Sequence, residues 1–510
     1  MKKISISLLM ILLTFFVSAQ SVQINGVRAK EFRGVRPITN GDVSSGYYTF
    51  YVNEKVNKGM IEFMIEIYDV DLNVVKKTPI QLTKNSVMQG GDFNGNDFMF
   101  LFMDFGKKTN TYVTLDSKGN VLKKITKTNK KLATASTTAV YPSNSGDGFY
   151  VTQQVKEKKW GYKVEKFDRN LTSQWSKTIS KDKGIISVEA AESGNGKLVL
   201  VSTERPTLMS KKVTGKMVAF DDNSGDKLYE INLYNGKITR IPSSFLIDKE
   251  GNIVMAGMYF DGQKWTATNS DGIYFTKISE DGTVIFENSL DWDKGIQDAL
   301  KATSRKFSIG SKPKVLFHDI TQDKDGNYQV VSETFRKTVK AGTVLAAMGG
   351  GNANDVPVGF TVMDYIVFNY DGEGNPIDIN KIEKPYKSIL VDGSIANRGG
   401  VSTAYYMKQM RMFTYEFVAE SKSGEKAIVY TNFETPEGLG TGKPYIGIST
   451  IKIGEESRTK KVPLTKKQVA WKSAGEKTGA MLARKGKLCV FYYDKKEKTI
   501  NLSLEDLSID

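Results

Sequence analysis

The chain has a single cysteine, Cys489, and a single histidine, His318. One cysteine excludes an internal disulfide, and the two counts together exclude a multi-histidine zinc site, a cysteine metal framework and an H-E-x-x-H motif. A Ser-His-Asp triad would have to use His318, and no G-x-S-x-G elbow precedes a helix. Gly349, Gly350 and Gly351 lack the Lys-Ser/Thr that completes a phosphate loop. Beyond the N-terminus no apolar run approaches membrane-spanning length, so no membrane span is expected. Proline is scarce, at 12 residues, while glycine is plentiful at 46. That is the composition of a folded, turn-rich chain.

Met1, Lys2 and Lys3 precede an apolar run from Ile4 to Val17, and Val17-Ser18-Ala19 offers small residues before Gln20. A basic start, a short apolar centre and a small-residue exit describe a secretory leader cleaved after Ala19. No cysteine follows the run to accept a lipid. The expected product is a soluble chain from residue 20 to 510, periplasmic or extracellular, and its avoidance of cysteine suits a bacterial envelope. Cys489, within Leu488-Cys489-Val490-Phe491-Tyr492, reads as a small core hydrophobe.

Lys+Arg outnumber Asp+Glu, for a formal charge of +15, two of which leave with the leader. The clusters are short, at Lys123-Lys124, Lys130-Lys131, Lys156 to Lys159 and Lys460-Lys461. They alternate with acidic turns and form no stripe with interleaved aromatics, which disfavours nucleic acid. Solvated surface lysines account for most of the excess, since salt screens them beyond about 8 Å. An anionic partner such as an acidic glycan is the lesser reading.

Self-similarity is the strongest signal. From Ser243 the chain reads strand, Asp-Lys-Glu-Gly-Asn turn, strand, loop, strand, Ser-Glu-Asp-Gly-Thr turn, strand. The same grammar recurs at Asp92 to Asn96 with Asp116 to Asn120, at Gly146 to Gly148 with Asp168 to Asn170, and at Asp323 to Asn327 with Asp371-Gly372. The spacing predicts an all-β fold, a β-propeller of about eight four-stranded blades starting near residues 33, 86, 137, 186, 241, 313, 401 and 466. Seven blades, or two β-sandwich domains, are the alternatives. The last unit is one strand short, and Ser21 to Arg28 is expected to supply it and close the ring. A short helix is expected over Asp293 to Ser304. A helical, Gly-rich insertion is expected at about 336–358, with Lys340, Leu345, Met348, Gly349, Gly350 and Gly351 as its candidate interaction residues.

The Asp-rich turns invite a calcium reading. Aligning Gly326 with position six of an EF-hand loop puts Thr321 at position one and Ser332 at position twelve, so both end carboxylates are missing. Hairpin chemistry explains them instead, and no metal or cofactor is expected. Leu316 to Ile320 and Ser187 to Glu189 fall on first strands, which line a propeller's channel. Glu189, His318 and Asp319 are therefore the candidate channel-facing residues, and no catalytic residue is assigned.

Two resemblances follow. Ala219 to Tyr229 resembles the A-x-D-x-x-T-G-x-x-x-W repeat of quinoprotein-type propellers, with Ser224 for Thr and Tyr229 for Trp, which implies blades and not quinone binding. Ser180 to Gly184 begins like a sialidase-propeller turn, but Ser187 occupies its aromatic position. The whole mature chain resembles a family of exported bacterial propeller-like proteins with no assigned reaction, through its leader, its Asp-Gly-Asn turns and the insertion from Phe335 to Gly351 before Val362 to Phe368. The resemblance implies a fold and transfers no activity. The expected function is a non-catalytic binding scaffold that engages a protein or glycan through loops or channel mouth. The alternative is a carboxylate-dependent enzyme acting on carbohydrate in the channel.

Overall fold

The computed structural model describes residues 20–508 apart from 28–31, 41–42, 129–137, 157–159, 182, 208–209, 211–212, 264–269, 303–312, 339–356, 394–399, 435–440, 466–468 and 471–477. The leader and the candidate insertion residues Lys340, Leu345, Met348 and Gly349 to Gly351 lie outside the described residues.

The strands assemble into eight antiparallel blades. Their inner strands are Phe32–Asn40, Ser86–Phe93, Thr138–Pro142, Ile185–Gly194, Ile238–Ile247, Lys314–Gln322, Tyr415–Glu420 and Thr478–Leu482. Six of these begin within three residues of the expected starts. The last two do not. Residue 401 lies in a helix and residue 466 precedes its blade, so the seventh and eighth inner strands begin at Tyr415 and Thr478. Blades three and four share one edge pair, Trp160 with Ile185. From the second blade round to the eighth, successive inner strands touch, and the last, Thr478–Leu482, meets the first. Ser21–Ile24 pairs with the final strand Thr499–Asp506 and completes blade eight, as the missing-strand argument requires.

One local device builds most of the tight turns. Asp323 Oδ1 accepts the backbone N–H groups of Asp325 and Asn327, both at 2.9 Å, while its Oδ2 accepts Asn327 Nδ2 at 3.1 Å. The same three bonds recur at Asp69–Asn73, Asp116–Asn120, Asp248–Asn252 and Asp371–Asn375. Each aspartate is thus spent on its own turn, which is why these sequences mimic calcium loops without offering free carboxylates. The fourth position needs positive φ. Gly326 supplies it at 86°, while Leu72 and Leu171 adopt 63° and 60° and bury their side chains.

Blades also dock on each other's turns. The Trp175 ring of blade three covers Gly225 of blade four so closely that a Cβ there would stand 2.5 Å from the ring. Trp175 Nε1 donates to the Asp222 carbonyl at 2.7 Å. Tyr229 covers Gly282, and Phe286 covers Gly374, in the same way. This is the physical content of the Asp…Gly…aromatic spacing in Ala219 to Tyr229: one blade's outer aromatic needs the next blade's side-chain-free turn.

Strand alternation places every first-to-second and third-to-fourth turn on one face of the ring. The strand ends that lead into the remaining connections lie on the other. That second face carries helix α1 (Gly295–Ala302), inside the span expected to be helical, and helix α2 (Gly400–Gln409). Blade six rises above the same face, because its central strands Tyr328–Thr338 and Val358–Tyr370 are long and Lys387–Val391 pairs with the projecting end of the latter. Ala404 and Met407 of α2 pack on this projection with Phe335, Phe360, Val362 and Phe413. The Tyr405 hydroxyl donates to the Pro242 carbonyl of blade five. The helix therefore spans from blade five to blade six at the mouth.

Candidate functional site

Six inner strands carry a one-residue bulge, the first between Phe32 and Val35 and five others at Gln89, Glu189, Ser243, His318 and Glu416. The repeat makes these five positions equivalent, so they stand at one level of the channel wall. In three of them the bulged side chain bonds the second strand of its own blade: Thr203 Oγ1 donates to Glu189 at 2.6 Å, Thr431 Oγ1 to Glu416 at 2.6 Å, and His318 meets Glu333 at 3.1 Å. Bulges re-aim side chains at barrel rims, and here they turn polar groups toward the axis.

The His318 ring is closed in by its neighbours. Its side chain is only 3% exposed, packed flat on Tyr415 and edge-on to Phe413. Glu333, fully buried, accepts from His318 Nε2, from the Thr414 N–H and from Thr414 Oγ1 at 2.6 Å, and it pairs with buried Lys384 at 2.9 Å. Lys384 also lies 5.0 Å from the Tyr365 ring centre. Burial would raise the Glu333 carboxyl, but Lys384, His318 and Thr414 hold it down at about 2. Burial lowers His318 in turn, so the neutral ring donates through Nε2 to an ionised carboxylate. This network joins blade six to the entry of blade seven.

Asp319 accepts from Tyr415 Oη at 2.6 Å, and burial raises its carboxyl. Glu189 stands on blade four, exposed, and does not line the cavity that His318 borders. Of the three sequence candidates, then, His318 and Asp319 share one neighbourhood and Glu189 is apart. Two channel acids were missed. Asp92 is pushed up to about 6 by burial against the pull of the Phe93 N–H and Arg36, and Glu192 to about 7 by burial and by the charges of Asp92 and Asp319. Asp92 and Glu192 are equivalent in the repeat, each three residues after the bulged residue of its strand, Gln89 and Glu189.

A carboxyl raised in the fold binds its proton more tightly there than in the unfolded chain, so Glu192 costs stability as pH rises from its ordinary range through about 7. Glu192→Gln is expected to stabilise the protein by about 1–2 kcal/mol at pH 8 and by nothing at pH 4.5, read by thermal unfolding at both values.

A cavity of about 330 Å³ opens between blade six, α2 and blade seven, lined by His318, Lys387, Lys408, Arg411, Phe413, Tyr415, Glu416, Thr431 and Phe433. Lys387 comes from the blade-six projection, Lys408 from the last turn of α2, and Arg411 from the link into blade seven, held at φ 49°. Lys387 is 8% exposed, and burial draws its amine down to about 8. Burial also lowers Lys408, against the pull of Asp319. Burial raises Glu416 to about 7, opposed by Thr431, Arg411, Lys387 and Arg36. Lys387 gave one sequence signal, Pro385, which breaks the outer edge of blade six into Pro376–Ile382 and Lys387–Val391. The other cations gave none. No three His, Cys, Asp or Glu side chains among the described residues are grouped to hold a metal.

Fold and site together define an eight-bladed β-propeller with a cation-lined, aromatic-walled cavity at its mouth. The chain belongs to DUF6770, a family of unknown function whose model matches residues 1–508. No curated protein matches it. Among solved structures it is similar to a protein of unknown function from Bacteroides caccae (12% identity over 66% of this chain and 94% of that one, TM-score 0.26). It is also similar to the WD40 domain of SCAP from fission yeast (9%, 94% and 98%, TM-score 0.38) and to the periplasmic gluconolactonase PpgL of Pseudomonas aeruginosa (10%, 83% and 99%, TM-score 0.37).

Proposed function

We propose that this protein is an exported binding propeller that takes a carboxylated glycan or sugar acid in the cavity between blades six and seven. The observation that carries the reading is the convergence of Lys387, Lys408 and Arg411 with Phe413, Tyr415 and Phe433 on one enclosed space. Cations recognise the carboxylate, and aromatic faces accept the apolar face of a sugar ring. The three-part leader, Met1 to Ala19, supports export.

Titration calorimetry with oligogalacturonate and with a neutral oligosaccharide of equal length tests the binding. The acidic ligand is expected to bind and the neutral one not, and Lys387→Met is expected to weaken binding by about tenfold or more. Equal affinity for the two ligands, or an unchanged variant, would remove the proposal. A second reading, carbohydrate cleavage in the channel, is favoured by the electrostatic coupling of Asp92, Glu192 and Asp319. Release of new reducing ends from oligogalacturonate, abolished by Glu192→Gln, would establish it, and no release would dismiss it.

A further inference from the structure

Two lysines three residues apart have opposite surroundings. Lys384 is fully buried and paired, with the Glu333 carboxylate at 2.9 Å and the Tyr365 ring beneath it. Lys387 is 8% exposed and lines the mouth cavity with Lys408, Arg411 and the Glu416 carboxyl, drawn by the charges of Glu333 and Glu416 and repelled by Lys384. Withdrawing an ammonium from water is expensive, and nothing in packing demands a lysine at a position whose strand neighbour is Val362. An amine largely withdrawn from water, on a cavity wall beside other cations, is an arrangement that makes lysine a nucleophile.

We propose that Lys387 is an imine-forming residue whose amine condenses, in the mouth cavity, with a carbonyl compound that also bears a carboxylate, such as a 2-oxo acid or the open-chain aldehyde of a sugar acid. The inference rests on the anion-binding reading: Lys408 and Arg411 hold the carboxylate while Lys387 meets the carbonyl carbon. The nitrogen lone pair forms the C–N bond, and the carbonyl π pair moves to oxygen, which takes the proton that nitrogen gives up. The resulting carbinolamine loses water as its C–O bond breaks, with the proton supplied by the Glu416 carboxyl in the same cavity. A protonated imine, one water and the Glu416 carboxylate result, with no change of oxidation state. With the amine near 8, about a fifth of Lys387 is neutral at pH 7.4, against roughly a thousandth for an ordinary lysine.

The test treats the chain from Gln20 to Asp510 with glyoxylate and cyanoborohydride, then maps modified lysines by peptide mass spectrometry. Lys387 is expected to be labelled at least about tenfold more than any other lysine, to be protected by the methyl glycoside of glucuronate, which carries the carboxylate without a free carbonyl, and to outpace its own labelling by acetaldehyde. Lys387→Arg, checked for native melting, is expected to remove the dominant adduct. Labelling spread evenly over the lysines, or a dominant adduct surviving in Lys387→Arg, overturns the proposal. If oligogalacturonate binds but Lys387 is never singled out, the imine fails and the binding reading stands. If acetaldehyde labels Lys387 as well as glyoxylate does and oligogalacturonate does not bind, the carboxylate requirement falls together with the binding reading.

Discussion

Glu333→Gln is expected to cost the propeller about 3–5 kcal/mol, the largest loss from any single substitution considered for this chain. The side chain hardly changes in volume. What changes is charge: Lys384, fully buried, loses its counter-ion, and the Thr414 N–H and hydroxyl lose their shared acceptor. Removing one partner of a buried pair leaves the other uncompensated, which is worse than removing both. The double variant Glu333→Gln/Lys384→Met is therefore expected to regain much of the loss, and denaturant unfolding of the four corners of that cycle measures the coupling. Equal stability of Glu333→Gln and the native chain would show that the network holds nothing together. The pH dependence follows the same carboxyl. Its folded value lies below the ordinary range, so its contribution is fully present above about 4.5 and is lost as pH falls toward 2.

Removing residues 20–27 is expected to open the ring, lower stability by about 4 kcal/mol and drive the chain into oligomers. Ser21–Ile24 forms the outer edge of blade eight, Val27 N–H donates to the Lys498 carbonyl at 2.9 Å, and Tyr493 Oη donates to the Val27 carbonyl at 2.8 Å. Ile24 and Val27 are buried against Tyr47, Tyr68 and Leu72 of blade one, so the segment ties the last blade to the first. Two lost apolar side chains supply most of the energy, and the bared edge of Thr499–Asp506 supplies the association. Size-exclusion chromatography with denaturant unfolding reads both effects, and a synthetic peptide of residues 20–28 is expected to restore the monomer. A deleted chain that remains monomeric at native stability would make the strand dispensable.

The blades were legible because their signal is local. An Asp that bonds its own turn, a glycine or tolerated leucine at positive φ, and an aromatic a fixed distance on are all visible within a dozen residues. The seventh and eighth starts failed where that grammar fails. Gly400–Gln409 has tyrosines and β-branched residues suited to a strand, and it is helical because Ala404, Tyr405 and Met407 bury against blades five and six. Tertiary burial overrides a weak propensity. His318 was found from its place on a first strand, yet its partner Glu333 comes from the second strand of the same blade and the paired Lys384 from the link along that blade's outer edge. Lys387 looked like one lysine among many until its burial set it apart.

By itself, then, the sequence determined the turn chemistry and the four-strand unit and pointed to about eight blades with a closing strand, while the tertiary structure decided between eight and seven, since the turns depend on residues near in the chain and the count on two weak repeats. Only the tertiary structure decided which polar residues meet. The ring brings Lys387, Lys408, Arg411 and Glu416 to one cavity from two strands, a helix and a link, and it leaves Glu189 outside. Blade curvature, bulge direction and the resting place of α2 set those meetings, and all three are properties of packing between units rather than of any one unit's sequence.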